Sequence, residues 1–158
     1  MRIALALMLI VSIGVAVRAQ VQASRTGGGI DGLNARLSDA YRRRDPRAYA
    51  ALFTDSAAFE WPAVDVVRGR AALAAMGRAI WATQHDVELR VVPSMRRAGA
   101  ANATEFGAFA QTWTDSVGVR RTEYGRYAAY LVRRPDGRWL FERWLGFEDS
   151  LRVTPRGR

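Results

Sequence analysis

The tripeptide Pro135-Asp136-Gly137 constrains this chain more than any other stretch. Proline pre-sets φ for a turn, aspartate tolerates a tight bend, and glycine supplies a positive φ at no steric cost. It separates two runs rich in strand formers, residues 125–132 and 138–145. A three-residue loop with glycine in the left-handed position joins antiparallel strands, so the segment predicts a hairpin closed by Arg134 and Arg138. That register pairs Leu131 with Phe141, Ala129 with Arg143, Tyr127 with Leu145 and Gly125 with Phe147. Alternation puts all eight on one face, apolar except for Arg143. One guanidinium is therefore expected to point into an apolar concavity, with Arg143 as the leading polar anchor of a pocket.

Composition removes several chemistries. The chain has no cysteine, which excludes disulfides, thiolate metal sites and a cysteine nucleophile. A single histidine, His85, excludes any site that needs two imidazoles. The net charge of +9 is carried by arginine alone, so Schiff-base chemistry and a P-loop lysine are excluded as well. The arginines are scattered rather than gathered in a stripe with interleaved aromatics, and no nucleic-acid partner is expected. No cofactor and no metal are expected either.

The first residues read as a targeting segment. Met1-Arg2 is followed by a 15-residue apolar run, Ile3 to Val17, interrupted only by Ser12 and Gly14. It falls short of the ~20 residues of a spanning helix. Val17-Arg18-Ala19 places small residues where a signal peptidase cuts, with Val21-Gln22-Ala23 as a second choice. The expectation is a signal peptide over 1–19, cleavage after Ala19 or Ala23, a secreted or periplasmic product, and no stable membrane anchor after cleavage. Residues 20–29, with three consecutive glycines, read as a flexible linker. The domain itself is expected over 30–150, and 151–158 as a loose basic tail.

Within the domain, Ile30, Leu33, Leu37, Ala40 and Tyr41 recur at helical spacing and predict an amphipathic helix. Asp45-Pro46 then caps and opens a second helix that buries Tyr49, Leu52 and Phe53 before breaking at Asp55-Ser56. Two short strands, 57–61 and 65–68, precede a third helix over 69–83. Val87, Leu89 and Val91 alternate with polar residues in a strand ending near Pro93, with His85 sharing their parity. Strands over 102–113 and 119–132 follow, and the last runs to Phe147. This order predicts an α+β domain, a curved antiparallel sheet wrapped around three helices to form a cone with an apolar pocket.

Several local patterns carry a family resemblance. They are Asp45 between the first two helices, the run Leu52-Phe53-Thr54-Asp55-Ser56-Ala57-Ala58-Phe59, Val67-Arg68-Gly69-Arg70 before the third helix, Gly125-Arg126-Tyr127, and Asp136-Gly137-Arg138-Trp139. Together they resemble the nuclear transport factor 2-like superfamily, in its SnoaL-like branch, over about residues 30–150. The resemblance implies a cone-shaped pocket, often a homodimer, and members that range from ketosteroid isomerase-like enzymes to domains without chemistry. The isomerase-like base is an Asp before a Pro after the first strand, where this chain has Trp61. Its partner tyrosine falls near Leu37, one turn before Tyr41. Two inward aspartates of the epoxide hydrolase-like kind are not evident.

The remaining inward candidates divide by role. Glu105, His85, Arg143 and Tyr127 are the candidate catalytic groups, a base from the first two and an oxyanion partner from the last two. Tyr41, Trp61, Trp81, Phe109, Trp113, Tyr127 and Arg143 are the candidate ligand contacts. Glu105 has two registers open: in one it lies in a row with Ala129 and Arg143 and pairs with that arginine, and in the other it faces away. Glu123 is a second acid on the Tyr127 face, nearer the strand end and more exposed. Two function classes follow. One is an exported protein that binds a small apolar or aromatic molecule, with acid/base chemistry as an extension. The other is a non-catalytic dimeric scaffold or protein-interaction module.

Overall fold

The computed structural model describes residues 29–62 and 64–154. The expected signal peptide, most of the linker and residues 155–158 lie outside this range. Helix α1 spans 29–43 and buries Ile30, Leu33, Leu37 and Ala40, the stripe expected from the helical spacing. Arg44 ends it with a left-handed backbone, φ 51°. Asp45 then caps α2 (Pro46–Ala50), its carboxylate accepting from Arg47 N at 3.0 Å and Ala48 N at 2.9 Å. Such a cap contributes about 1 kcal/mol, and Pro46 fits the first turn because its missing N–H would find no partner there.

The second helix is shorter than expected, because Phe53 already begins β1 (Phe53–Glu60). β2 (Val67–Arg68) and α3 (Gly69–Trp81) follow, then four long strands: β3 (Gln84–Ala98), β4 (Asn102–Asp115), β5 (Arg120–Arg133) and β6 (Trp139–Thr154). They form one curved sheet in the order β2-β1-β6-β5-β4-β3. The sheet is mixed rather than wholly antiparallel: β1 runs parallel to β6. β3 continues past Pro93, and β6 past Phe147 to Thr154, so the first four residues of the expected tail are strand.

The hairpin closes as expected. Arg134 N donates to Arg138 O at 2.8 Å and Gly137 has φ 85°. Leu131 faces Phe141, but the register then slips, and Tyr130 pairs with Arg143 and Ala129 with Trp144. The extra residue is Glu142, whose carboxylate accepts from Thr54 Oγ1 at 2.5 Å and Ser56 Oγ at 3.0 Å on β1. A bulge inserts one residue into one strand and reverses the facing of everything beyond it. Trp144, 5% exposed, therefore points inward and Arg143 outward. Burying an unpaired guanidinium would cost several kcal/mol, whereas burying an indole is favourable, so the bulged register wins.

Candidate functional site

The inner face of the sheet carries two polar clusters separated by aromatics. At one end, β4 and β5 pair without interruption, so Glu105 faces Ala129 and points inward. It is fully buried. Asn34 Nδ2 donates to Glu105 Oε1 at 2.8 Å, and the Tyr127 hydroxyl donates to the same oxygen at 2.7 Å. Arg96 Nε donates to Glu105 Oε2 at 2.5 Å, and Arg96 also pairs with Asp31 on α1 at 2.6 Å. Burial, and then the bond to Glu105, pushes the Tyr127 phenol up.

Arg96 reaches Glu105 through a second bulge. Between Pro93 and Met95 the β3–β4 register shifts, which turns Arg96 inward opposite Glu105. The partner of Glu105 is thus Arg96 and not Arg143. Arg143 lies on the outer face, 58% exposed, 3.4 Å from Glu60. It cannot anchor a ligand in the interior. A third irregularity lies between His85 and Glu88, where Asp86 takes φ 48°. It puts His85 out of phase with Val87. His85 is exposed, with Nδ1 3.2 Å from Arg44 Nη1, and is no base for an internal site.

At the other end lies a cavity of ≈ 30 Å³, room for about two water molecules. Leu37 and Tyr41 from α1, Tyr49 from α2, and Phe53 and Phe59 from β1 line one side. Trp61, Leu89, Phe109, Gln111 and Trp144 line the other. Trp61 stacks on Phe59 at 6.2 Å between centroids and lies against Gly146, where any Cβ would sit 2.2 Å from its ring. Phe109 similarly occupies the space over Gly125. The glycines thus admit the aromatic rings to the sheet surface. Leu37 and Trp61 both line this cavity.

Of the other expected contacts, Tyr41 and Phe109 also line it. Trp81 is buried behind it, edge-on to Tyr41 and Tyr49 at 5.2 and 5.8 Å. Tyr127 stacks on Trp144 at 4.4 Å with its hydroxyl committed to Glu105. Trp113 packs at the core margin, opposite Arg121.

The polar group that sequence reasoning underrated is Glu123. It pairs with Gln111, which pairs with Leu89, so the three form one row across the inner face and two of them line the cavity. Its Oε1 is buried with no hydrogen-bond partner among the described residues, as are Tyr49 Oη and Trp81 Nε1. Burial, then the Glu148 carboxylate, raises the Glu123 carboxyl to about 7. The phenol of Tyr41 is pushed up by burial and then by Glu123, which places the two close together. Alternation put Glu123 on the Tyr127 face, but exposure judged from strand position ranked it below the other candidate acids.

Among the described residues, no three His, Cys, Asp or Glu side chains gather into a metal-binding group. No described helix is long and apolar enough to cross a membrane. This arrangement sets one carboxyl, raised toward neutrality by burial, beside a small aromatic-walled cavity.

The chain matches the SnoaL-like domain family over residues 25–145. No curated protein matches it. Among solved structures it is similar to a ketosteroid isomerase-like protein from Erwinia carotovora atroseptica, with TM-score 0.67 and 20% identity over 78% of this chain and 95% of that one. An NTF2-like protein with a cystatin-like fold from Novosphingobium aromaticivorans superposes with TM-score 0.72 and 19% identity, covering 85% and 88% of the two chains. A hexachlorocyclohexane dehydrochlorinase does so with TM-score 0.72 and 15% identity, covering 89% and 95%. At these identities the likeness is one of fold. The chain belongs to the SnoaL-like domain family, and it shares its fold with ketosteroid isomerase-like and NTF2-like proteins.

Proposed function

We propose that this protein binds a small apolar or aromatic molecule in the concave cavity, with Glu123 as the group that takes and returns a proton. The observation that carries this reading is the buried, partnerless Oε1 of Glu123 beside an aromatic-walled cavity. A carboxyl raised to about 7 is well matched to proton transfer near neutral pH. Tyr41 and the Gln111 amide are the donors available to steady a developing oxyanion. The test follows deuterium uptake at the α-carbons of cyclohexanone in D2O by NMR. The protein is expected to accelerate exchange, and Glu123→Gln to abolish the acceleration with the fold preserved by circular dichroism. Equal exchange with and without protein would remove the catalytic role.

A non-catalytic scaffold is the second reading, favoured by the Trp61 ring that packs over Gly146 in the cavity wall. It gains if neither the parent nor Trp61→Ala binds the neutral probe p-cresol in an NMR titration. The proposal includes a homodimer through the convex face, where Met95, Phe106 and Phe147 are exposed. A monomer by analytical ultracentrifugation would remove it. It also includes export, tested by mass spectrometry for a product beginning at Gln20 or Ser24.

A further inference from the structure

We infer that the ligand of this cavity carries a cationic nitrogen, an alkyl-substituted ammonium seated among the aromatic rings with Glu123 as its counter-ion. The inference rests on the pocket reading above and names the ligand class. The first observation is a contrast of charge. The chain holds 24 arginines, yet none of the ten residues that line the cavity is charged, and the charged group in the row beside Gln111 is the carboxyl of Glu123.

Two carboxylates lie beside it on the sheet. Glu123 lies in the row beside Gln111, and Glu148 faces Gly125 one row away. Arg121, two residues along β5, is held 2.8 Å from Asp115 and is neutralised there. An anionic ligand would meet the carboxylates of Glu123 and Glu148. A neutral apolar ligand would leave Glu123 Oε1 as orphaned as it is now. An ammonium satisfies that oxygen by charge and meets the faces of Tyr41, Phe59, Trp61, Phe109 and Trp144, whose negative quadrupoles attract cations.

Size adds a requirement. The ≈ 30 Å³ present does not admit a trimethylammonium group until the Trp61 ring leaves Gly146. That ring is only half-buried and follows the end of β1, so a shift of it would leave the strand pairing intact.

The experiment compares choline with 3,3-dimethylbutan-1-ol, its uncharged carbon isostere, by calorimetric titration of the full chain at pH 8. Choline is expected to bind about tenfold or more tightly, the discrimination a desolvated cation–π and carboxylate site supplies. Glu123→Gln should bring the two affinities together while leaving that of the alcohol unchanged. As a second variant, Phe109→Leu should weaken choline more than the alcohol. If the alcohol binds as tightly as choline, the cation inference is overturned and the pocket stands. A choline preference that persists in Glu123→Gln overturns the role of that residue as counter-ion. If neither compound binds, the pocket reading falls and this inference falls with it.

Discussion

Two glutamates on one face of the same pair of strands have opposite fates. Glu105 is completely buried and every oxygen has a partner: Asn34, Tyr127 and Arg96. Glu123 is only partly buried, yet one of its oxygens has no partner and its nearest charged neighbour is another carboxylate. Burial alone therefore does not mark a functional acid. A buried charge with all its bonds made is part of the scaffold, while one left unsatisfied is held at a cost that a proton, a water or a ligand relieves. The aromatic layer of Tyr127, Trp144 and Phe109 separates the two environments, so they can be disturbed independently.

The largest effect is expected at the satisfied end. Arg96→Met leaves Glu105 buried without its cation and should destabilise the domain by about 3–5 kcal/mol. Replacing both, Arg96→Met with Glu105→Leu, should cost less than Arg96→Met alone, because no uncompensated charge remains. Urea unfolding measures both. A double variant worse than the single would mean that the network is worth more than its desolvation.

At the other end the signature is pH dependence. Burial, and then the Glu148 carboxylate, raises the Glu123 carboxyl from its ordinary 4.5 to about 7 on folding. The folded state thus holds its proton more tightly between these values, and stability falls as pH rises from 4.5 through 7, then levels. Discounted for the solvent access of this group, the loss is about 1–2 kcal/mol. Glu123→Gln should flatten that part of the curve, read by unfolding at pH 5 and pH 8.5. An unchanged slope would erase the contrast between the two glutamates.

Gly146→Ala probes the mouth between them. Its methyl would meet the Trp61 ring, which can swing away, so the cost should be about 1 kcal/mol. Acrylamide quenching of tryptophan fluorescence should rise as Trp61 becomes exposed. Quenching that stays constant would show the ring to be fixed. Arg143→Met should be the mildest change, within about 0.5 kcal/mol, since its pair with Glu60 is solvent-exposed. A loss comparable to that of Arg96→Met would contradict the outward placement of Arg143.

Much of the fold was legible because it rests on local rules. Helical spacing from Ile30 to Ala40 marked α1, Asp45-Pro46 marked a cap, and Pro135-Asp136-Gly137 marked the hairpin and its closing pair. The aromatic residues of the cavity were also legible as apolar positions: Tyr41, Trp61 and Phe109 line it. What local rules did not reveal was facing, at three register irregularities. Glu142 turned Arg143 out, the shift after Pro93 turned Arg96 in, and Asp86 separated His85 from Val87.

The sequence by itself determined the elements, the turn and the SnoaL-like family, because propensity, capping and glycine conformation act within a few residues. The tertiary structure alone decided which charges face inward. Side-chain facing has a period of two, so one inserted residue reverses everything beyond it. Whether a strand accepts that insertion depends on partners far along the chain: Thr54 and Ser56 for Glu142, and Asp31 and Glu105 for Arg96.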